Sequence, residues 1–415
     1  ERVHFVAITA SNVDELFQKR VGGLKRQRAA GVTELSPDGR DPGTQLDLVL
    51  DASRVLLAER SRVWRQELVP ALAGIGVEVV TYDQLDASER EVADRFFHET
   101  LYPVLTPLAV DPSRPFPLIS NLSLSLAVTL TAPDSSETRF ARVKVPTSLT
   151  RWVRFPGTRR VMPVERLVAE HVGSLFPGME VTGAYVFSLV RNAFLEHHAD
   201  VATDLIEMIS EALQEQRFAE VVRLDVEAAM PEELRAFLRD QLEVGVEDVF
   251  EVPDLLRMVD LHSLVIEPEP ELSYPAWKPP SARRLQSDEG SERDIFTVMR
   301  EGDVLVHHPY ESYDTSVLRL LNEAAADPDV IGIKQTVYRT NDQSQAMEAL
   351  LRAAEAGKQV SVLIEIQARF DERANIEWAR RLWAKRYGRE LPLPEGERIL
   401  DGLAPLEGPP SEKLL

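Results

Sequence analysis

Residues 359–381, QVSVLIEIQARFDERANIEWARR, constrain the fold more than any other stretch of this chain. The β-branched run Val360, Val362, Ile364, Ile366 predicts a buried strand over Gln359–Gln367. A turn with Arg369, Asp371, Glu372 and Arg373 follows, and Glu372–Arg386 has the composition of a helix. A strand that feeds directly into a helix is the building unit of a parallel α/β sheet. Such sheets place their ligands beyond the carboxyl ends of the strands, which is where this charged cluster falls.

A second unit of the same kind lies just upstream. Asp329–Val337 is predicted as a strand ending in Tyr338 and Arg339, and Gln343–Gly357 as the helix after it. Before these, Asp303–Val306 is predicted as a short strand ending in His307 and His308, with a helix over Thr315–Ala326. Consecutive units of this kind imply parallel pairing. Parallel pairing lines up His307, His308, Arg339 and Arg369 along one sheet edge. Two guanidiniums there suit a phosphate, because each planar fork donates two parallel N–H bonds. They cannot ligate a metal, so Mg²⁺ would arrive with the phosphates, with Asp371 or Glu372 as outer ligands. The alternative is a structural network of Arg369 with Asp371, Glu372 and Glu365. Neighbouring residues at a strand end point to opposite sides, so one of His307 and His308 at most faces such a site.

The first hundred residues have helical texture. Ser11 and Asp14 have the spacing of a capping box, which would start a helix at Ser11. Leu16, Phe17, Val21 and Leu24 form an apolar stripe, and Lys19, Arg20, Lys25, Arg26 and Arg28 form a basic flank able to meet a phosphate. Further elements are expected as a helix at Thr44–Leu68, a strand within residues 74–82 and a helix at Ser88–Thr100. From Tyr102 the chain is Pro-rich and then alternates Leu with Ser or Asn, the pattern of a half-buried strand. Ala141–Val145, Arg160–Pro163 and Val181–Val190 are further strands, and Asp200–Gln216 and Pro231–Leu242 further helices. His197 and His198 fall in an expected loop and receive no role. Residues 388–415 hold five prolines and cannot supply more strands for the sheet.

Charge and composition exclude several classes. The formal net charge is −21, and Val201–Asp260 alone has 16 acidic against 5 basic residues. A surface this negative disfavours non-specific binding to nucleic acid. There is no cysteine, which removes disulfides and thiolate metal sites. No apolar run reaches the roughly 18 residues that a spanning helix needs, so membrane association is not indicated. No Walker loop, GxGxxG, HExxH or GxSxG is present.

Four segments then carry a resemblance: residues 8–27 (ITASNVDELFQKRVGGLKRQ), Tyr102–Val128 with its PVLTPLAVDP and PFPLISNLSLSLAV runs, Leu305–Ser316 (LVHHPYESYDTS), and Ile333–Trp378 with VYR and ARFDERANIEW. Together, in this order, they resemble the ATP-dependent, phosphohistidine class of polyphosphate kinase over about residues 1–383. The resemblance implies a multidomain α+β protein. It would have a helical N-terminal domain (1–100), an α+β middle domain (101–266), a linker (267–290), the start of a phospholipase-D-like α/β domain (291–386), and a divergent tail (387–415). It implies reversible transfer of the ATP γ-phosphate to inorganic polyphosphate through a phosphohistidine, with Mg²⁺. Partners would be ATP or ADP and polyphosphate, the intact enzyme would be a homo-oligomer, and the location cytoplasmic. By motif, Asn12 is the ATP-base contact, and Arg339 and Arg369 are the Mg²⁺–phosphate site residues, touching metal through phosphate. His308 is a further candidate for the nucleotide site. The family's phosphorylated histidine lies in a Lys-x-His-x-Lys segment soon after the ARFDE helix. Here AKRYGRELPLPEGER stands there, and no histidine follows His308. The LSWLxFN motif and the second phospholipase-D-like domain are likewise not found in these residues. The expectation is therefore a fragment without its nucleophile, inactive alone. The rival is a non-catalytic module that binds polyphosphate or nucleotide, or docks on a full subunit.

Overall fold

The computed structural model describes residues 1–110, 116–133, 137–193, 218–264, 273–287, 290–340, 343–366, 368 and 371–387. The expected helix Asp200–Gln216, His197, His198, Arg369 and the tail all lie outside the described residues. Two compact units divide the chain, one from Glu1–Leu195 and Glu215–Tyr274, the other from Glu196–Gln214 and Pro275–Leu415.

The first unit opens with α1 (Arg2–Leu16), which continues through a π-helical turn (Phe17–Val21) into α2 (Gly22–Ala29). The expected start at Ser11 is therefore wrong. Val3, Val6, Ala7, Ala10 and Val13 already make a buried stripe at helical spacing, so burial extends the helix nine residues upstream of the polar signal. Because the helix is unbroken, no free N–H groups exist beside the basic flank to meet an anion. Its cations pair inside the unit instead: Lys19 with Glu15, Lys25 with Asp248, and Arg28 with Asp47 and Glu247. At Gly22 a Cβ would sit 2.4 Å from Asn192 Oδ1, so a larger residue would force the buried Asn192 side chain to move.

Helix α3 (Pro42–Val63) starts at Asp41, which accepts a bond from the Thr44 amide, and a π-helical turn carries it to Leu68. After a short α4 (Val69–Ala73) comes β1, reduced to Glu78–Val79. Helix α5 (Ala87–Phe96) is capped by Asp86 and Glu89 as a capping box. Two sheets follow. The larger has the order β2 (Pro107–Val110), β4 (Thr138–Lys144), β3 (Leu124–Thr131), β7 (Glu180–Arg191), β8 (Val221–Glu227), β9 (Val249–Val252). Its pairings are antiparallel except β8 with β9. The smaller joins β1, β6 (Arg160–Pro163) and β5 (Trp152–Arg154).

The Leu/Ser strand β3 is buried on both faces rather than half-buried. Leu124, Leu126, Val128 and Leu130 enter one core with α5 and α6 (Val164–Glu170). Ala127 faces a second core against α7 (Glu232–Leu242), and the Ser125 hydroxyl is consumed by Arg142 rather than by water. A buried serine with an internal partner mimics the alternation of an exposed face.

The second unit contains α8 (Ile295–Glu301), a π-helical turn leading into α9 (Arg319–Ala326), β10 (Gly332–Val337), α10 (Gln345–Glu355), β11 (Gln359–Ile364) and α11 (Glu372–Tyr387). Strands β10 and β11 pair in parallel from Gly332 with Gln359 to Val337 with Ile364, as two strand–helix units require. The strand expected at Asp303–Val306 does not form. The expected burial of β11 is also partial: Val360, Val362 and Ile364 pack toward Leu350, Leu351 and Trp378, while Leu363 on the opposite face is half exposed.

Candidate functional site

In the second unit the site is built at the carboxyl ends of β10 and β11. Tyr338 and Arg339 leave β10 there, and Glu365 leaves β11. The two ends are tied together by a residue that sequence reasoning passed over. Asn375, on α11 and fully buried, donates from Nδ2 to the Tyr338 carbonyl (2.9 Å) and to the Glu365 carbonyl (2.8 Å). Its Oδ1 has no partner among the described residues. The available signal was an amide amid the apolar positions Ile376 and Trp378 of a buried helix face.

Arg339 is held by this clamp at the strand edge and is half exposed, with Nε 3.5 Å from Asp371 Oδ2. Its guanidinium lies 5.7 Å from the Tyr338 ring centroid. Asp371 sits one residue before α11, its amide bonded to the Ala368 carbonyl and its carbonyl accepting from the Asn375 amide. The sheet edge thus brings Arg339 and Asp371 together, whereas the expected structural network joined Asp371 to Arg369.

The histidines are placed otherwise. With no strand at Asp303–Val306, His307 and His308 are not carried to this edge by strand pairing. They sit on an exposed turn where Glu311 accepts from both: its carboxylate from the His307 amide (2.8 Å), its carbonyl from His308 Nδ1 (3.0 Å). The His308 ring also meets Tyr313 edge-on at 5.5 Å.

Asn12 belongs to the first unit. It lies on the outward face of α1, one turn past Ile8 and two past Phe5, both well exposed. Two residues on, Asp14 turns inward and accepts from Arg223 Nη2 (2.5 Å) and Arg257 Nη1 (2.8 Å). Arg223 is itself shared with Asp225 (2.9 Å). Burial alone would lower the Arg223 pKa, but Asp225 and Asp14 outweigh it and hold the guanidinium charged. This fixed charge cluster sets the rotation of α1 about its axis, so it determines that Asn12 points outward. Nearby, burial raises the Asp254 carboxyl to about 6 against the opposing bond from Ser61 and the charge of Arg60.

Three family models match: the polyphosphate kinase N-terminal domain over residues 1–80, the middle domain over 88–264 and C-terminal domain 1 over 294–388. This chain belongs to the polyphosphate kinase family. It is 45% identical over 396 residues to a polyphosphate kinase of Mycobacterium marinum, covering 92% of this chain and 53% of that protein. It is 44% identical over 384 residues to one from Streptomyces coelicolor, covering 92% and 51%. Among solved structures, the polyphosphate kinase of Porphyromonas gingivalis superposes with a TM-score of 0.69 at 26% identity, covering 92% of this chain and 54% of that one. The chain spans about half the length of the curated relatives it matches. The multidomain α+β architecture, helical at its start, is the fold of this family. No described helix is long and apolar enough to cross a membrane.

Among the described residues no group of three His, Cys, Asp or Glu converges as a metal cage. Asp371 sets a carboxylate beside Arg339, its Oδ2 3.5 Å from Nε. This donor set suits a magnesium ion that keeps phosphate oxygens and waters as its ligands, rather than one bound by protein alone.

Proposed function

We propose that this chain provides the ATP- and phosphate-binding part of a polyphosphate kinase, in which the γ-phosphate of ATP is transferred reversibly to inorganic polyphosphate. The observation that carries the proposal is the Arg339–Asp371 pair held at the strand ends by Asn375. Arg339, with Arg369, offers guanidinium forks to phosphate oxygens, and the accompanying Mg²⁺ is bound through those oxygens. Asn12, whose side-chain amide presents one donor group and one acceptor, matches the edge of a purine base. The residue assignments for Asn12 and Arg339 rest on the motif resemblance and on these placements, and that for Arg369 on the resemblance alone. So does the division into a helical segment (1–100), a middle domain (101–266) and a phospholipase-D-like segment (291–386). The location we propose is the cytoplasm, where ATP is available, and the intact enzyme a homo-oligomer.

In the family reaction a histidine nitrogen forms a bond to the γ-phosphorus as the β–γ bridging P–O bond breaks and ADP leaves. A terminal oxygen of polyphosphate then attacks the phosphorus, and the P–N bond breaks to free the histidine. None of the eight histidines lies in a Lys-x-His-x-Lys segment. We therefore propose that this chain by itself binds nucleotide and oligophosphate without forming the phosphohistidine. Incubation with γ-labelled ATP and Mg²⁺ should leave no acid-labile label on the protein, while equilibrium dialysis should show bound ATP. Stoichiometric acid-labile labelling, or sustained polyphosphate synthesis, would sink the non-catalytic reading. Absence of ATP binding would sink the binding one.

A further inference from the structure

Among the described residues of the first unit, four arginines are buried to 9% exposure or less, and they divide into two kinds. Arg151 pairs with Glu165 and Asp260, and Arg223 with Asp14 and Asp225. Arg142 and Arg191 meet no carboxylate among the described residues. Arg142 bonds the Ser125 hydroxyl (3.0 Å) and the Leu118 carbonyl (3.2 Å), and its Nη2 has no partner among the described residues. Arg191 bonds the carbonyls of Ile119 (3.1 Å) and Ala219. A third cation, Lys144, reaches the Ser120 hydroxyl (3.3 Å). Arg142 and Lys144 alternate along β4, so both stand on the sheet face that Ala127 and Phe140 present to the second core.

Three cations thus converge on one loop, residues 118–120, in a chain whose net charge is −21. A buried guanidinium without a counter-ion is strongly unfavourable, since the carbonyl dipoles it meets do not cancel its charge. Burial indeed pushes Arg142 down to about 10. The loop is buried at Ile119 but exposed at Leu118 and Ser120, and Lys144 is half-buried, so the outer end of the cluster opens to solvent. The solvent-facing side of the cluster thus carries the Lys144 ammonium and the Ser120 hydroxyl, with the Arg142 guanidinium buried behind them.

We propose that Lys144, Ser120 and Arg142 form an oxyanion site on the middle segment that takes a phosphate group. Lys144 and the Ser120 hydroxyl contact the phosphate oxygens, Arg142 supplies compensating charge from behind, and Arg191 raises the potential of the whole loop. The choice of phosphate over other oxyanions rests on the proposed function, whereas the need for an anion rests on the unmatched arginines alone. Two sources share this chemistry: free inorganic phosphate and a phosphate unit of an oligophosphate chain.

The test uses the full 415-residue chain carrying Arg339→Ala and Arg369→Ala, which removes both proposed strand-edge phosphate contacts. Calorimetric titration with tripolyphosphate should still show one bound anion per chain. Adding Lys144→Met should weaken that binding at least about tenfold, the loss expected when a hydrogen bond to a charged group disappears. Arg142→Met should abolish it and, in phosphate-free buffer, should leave the melting temperature unchanged or raised, because an unpaired buried charge is gone. Lys144→Met is the decisive variant if Arg142→Met fails to fold. Binding of both inorganic phosphate and tripolyphosphate identifies a single-phosphate site, and binding of tripolyphosphate alone identifies a chain site. No binding in the Arg339→Ala, Arg369→Ala chain, or binding that Lys144→Met leaves within twofold, overturns the site. Failure of the wild-type chain to bind ATP would instead count against Asn12 and Arg339, a separate result.

Discussion

Replacing Asn375 by leucine tests whether one amide holds the two strand ends in place. Leucine keeps the volume but deletes both donated bonds, at 2.9 and 2.8 Å. The two carbonyls do not lose equally. Glu365 O still accepts from the Ala368 amide at 3.3 Å, so it forfeits about 1 kcal/mol, the net value of one bond. Tyr338 O has no other donor among the described residues, so it incurs the desolvation cost of an unmade bond, about 1–3 kcal/mol. Removing the orphaned Oδ1 and adding apolar surface to a fully buried position return about 1 kcal/mol. The net is a local loss of about 2 kcal/mol, or roughly 30-fold in the opening equilibrium at the strand ends. Because the chain has two units, a global melt is a poor measure, and native-state hydrogen exchange on peptides covering residues 332–366 is the direct one. The Glu365 amide, bonded to the Val337 carbonyl at 3.0 Å, is the reporter. Its protection should fall roughly 30-fold, while peptides of the first unit keep theirs. Protection within threefold of wild type would refute the clamp, since two bonds to a fully buried amide cannot vanish at no cost.

Three further outcomes follow from the same geometry. Asn12→Ala removes a solvent-facing side chain and should leave the melting temperature within a degree or two while weakening ATP binding about tenfold or more by dialysis; unchanged affinity would remove Asn12 from the nucleotide site. Asp14→Asn takes a carboxylate from Arg223 and Arg257 and leaves buried cations under-compensated, so chemical denaturation should show a loss of about 3 kcal/mol, and a change below 1 kcal/mol would refute the anchoring of α1. Asp254 has its pKa raised by burial to about 6, so its ionised form is disfavoured by folding. Stability from this group is present below the unfolded pKa near 4 and is lost as pH rises through 6. Asp254→Asn should therefore stabilise the chain by about 1–2 kcal/mol at pH 8, after discounting for partial exposure, and by nothing at pH 4. A gain independent of pH would refute burial as the cause.

Local signals carried much of the architecture. The two strand–helix units of the second unit declare parallel pairing because a right-handed crossover through a helix returns the chain beside its first strand. That logic placed Arg339 at the edge, where Asp371 lies beside it, but not His307 and His308, whose expected strand does not form. Local signals failed where burial overrode them. Ser11 and Asp14 mimic a cap, yet the apolar stripe from Val3 onward makes a continuous helix more stable than a break at Ser11. The serines of β3 mimic a solvent face, and only the partner strand shows that Ser125 serves Arg142.

The sequence by itself determined the family, the paired strand–helix units of residues 329–386 and the residue types available for phosphate, since motif and periodicity are local properties of the chain. Only the tertiary structure decided which charges are matched. Arg142, Arg191 and Arg223 look alike in sequence. Folding gives Arg223 two carboxylates, and gives the other two only carbonyls and a hydroxyl. Asn375 is likewise an ordinary helix amide until the fold brings two strand ends within reach of it. Coulomb energy and desolvation depend on separations across tens to hundreds of residues, and those distances exist only once the sheets have formed.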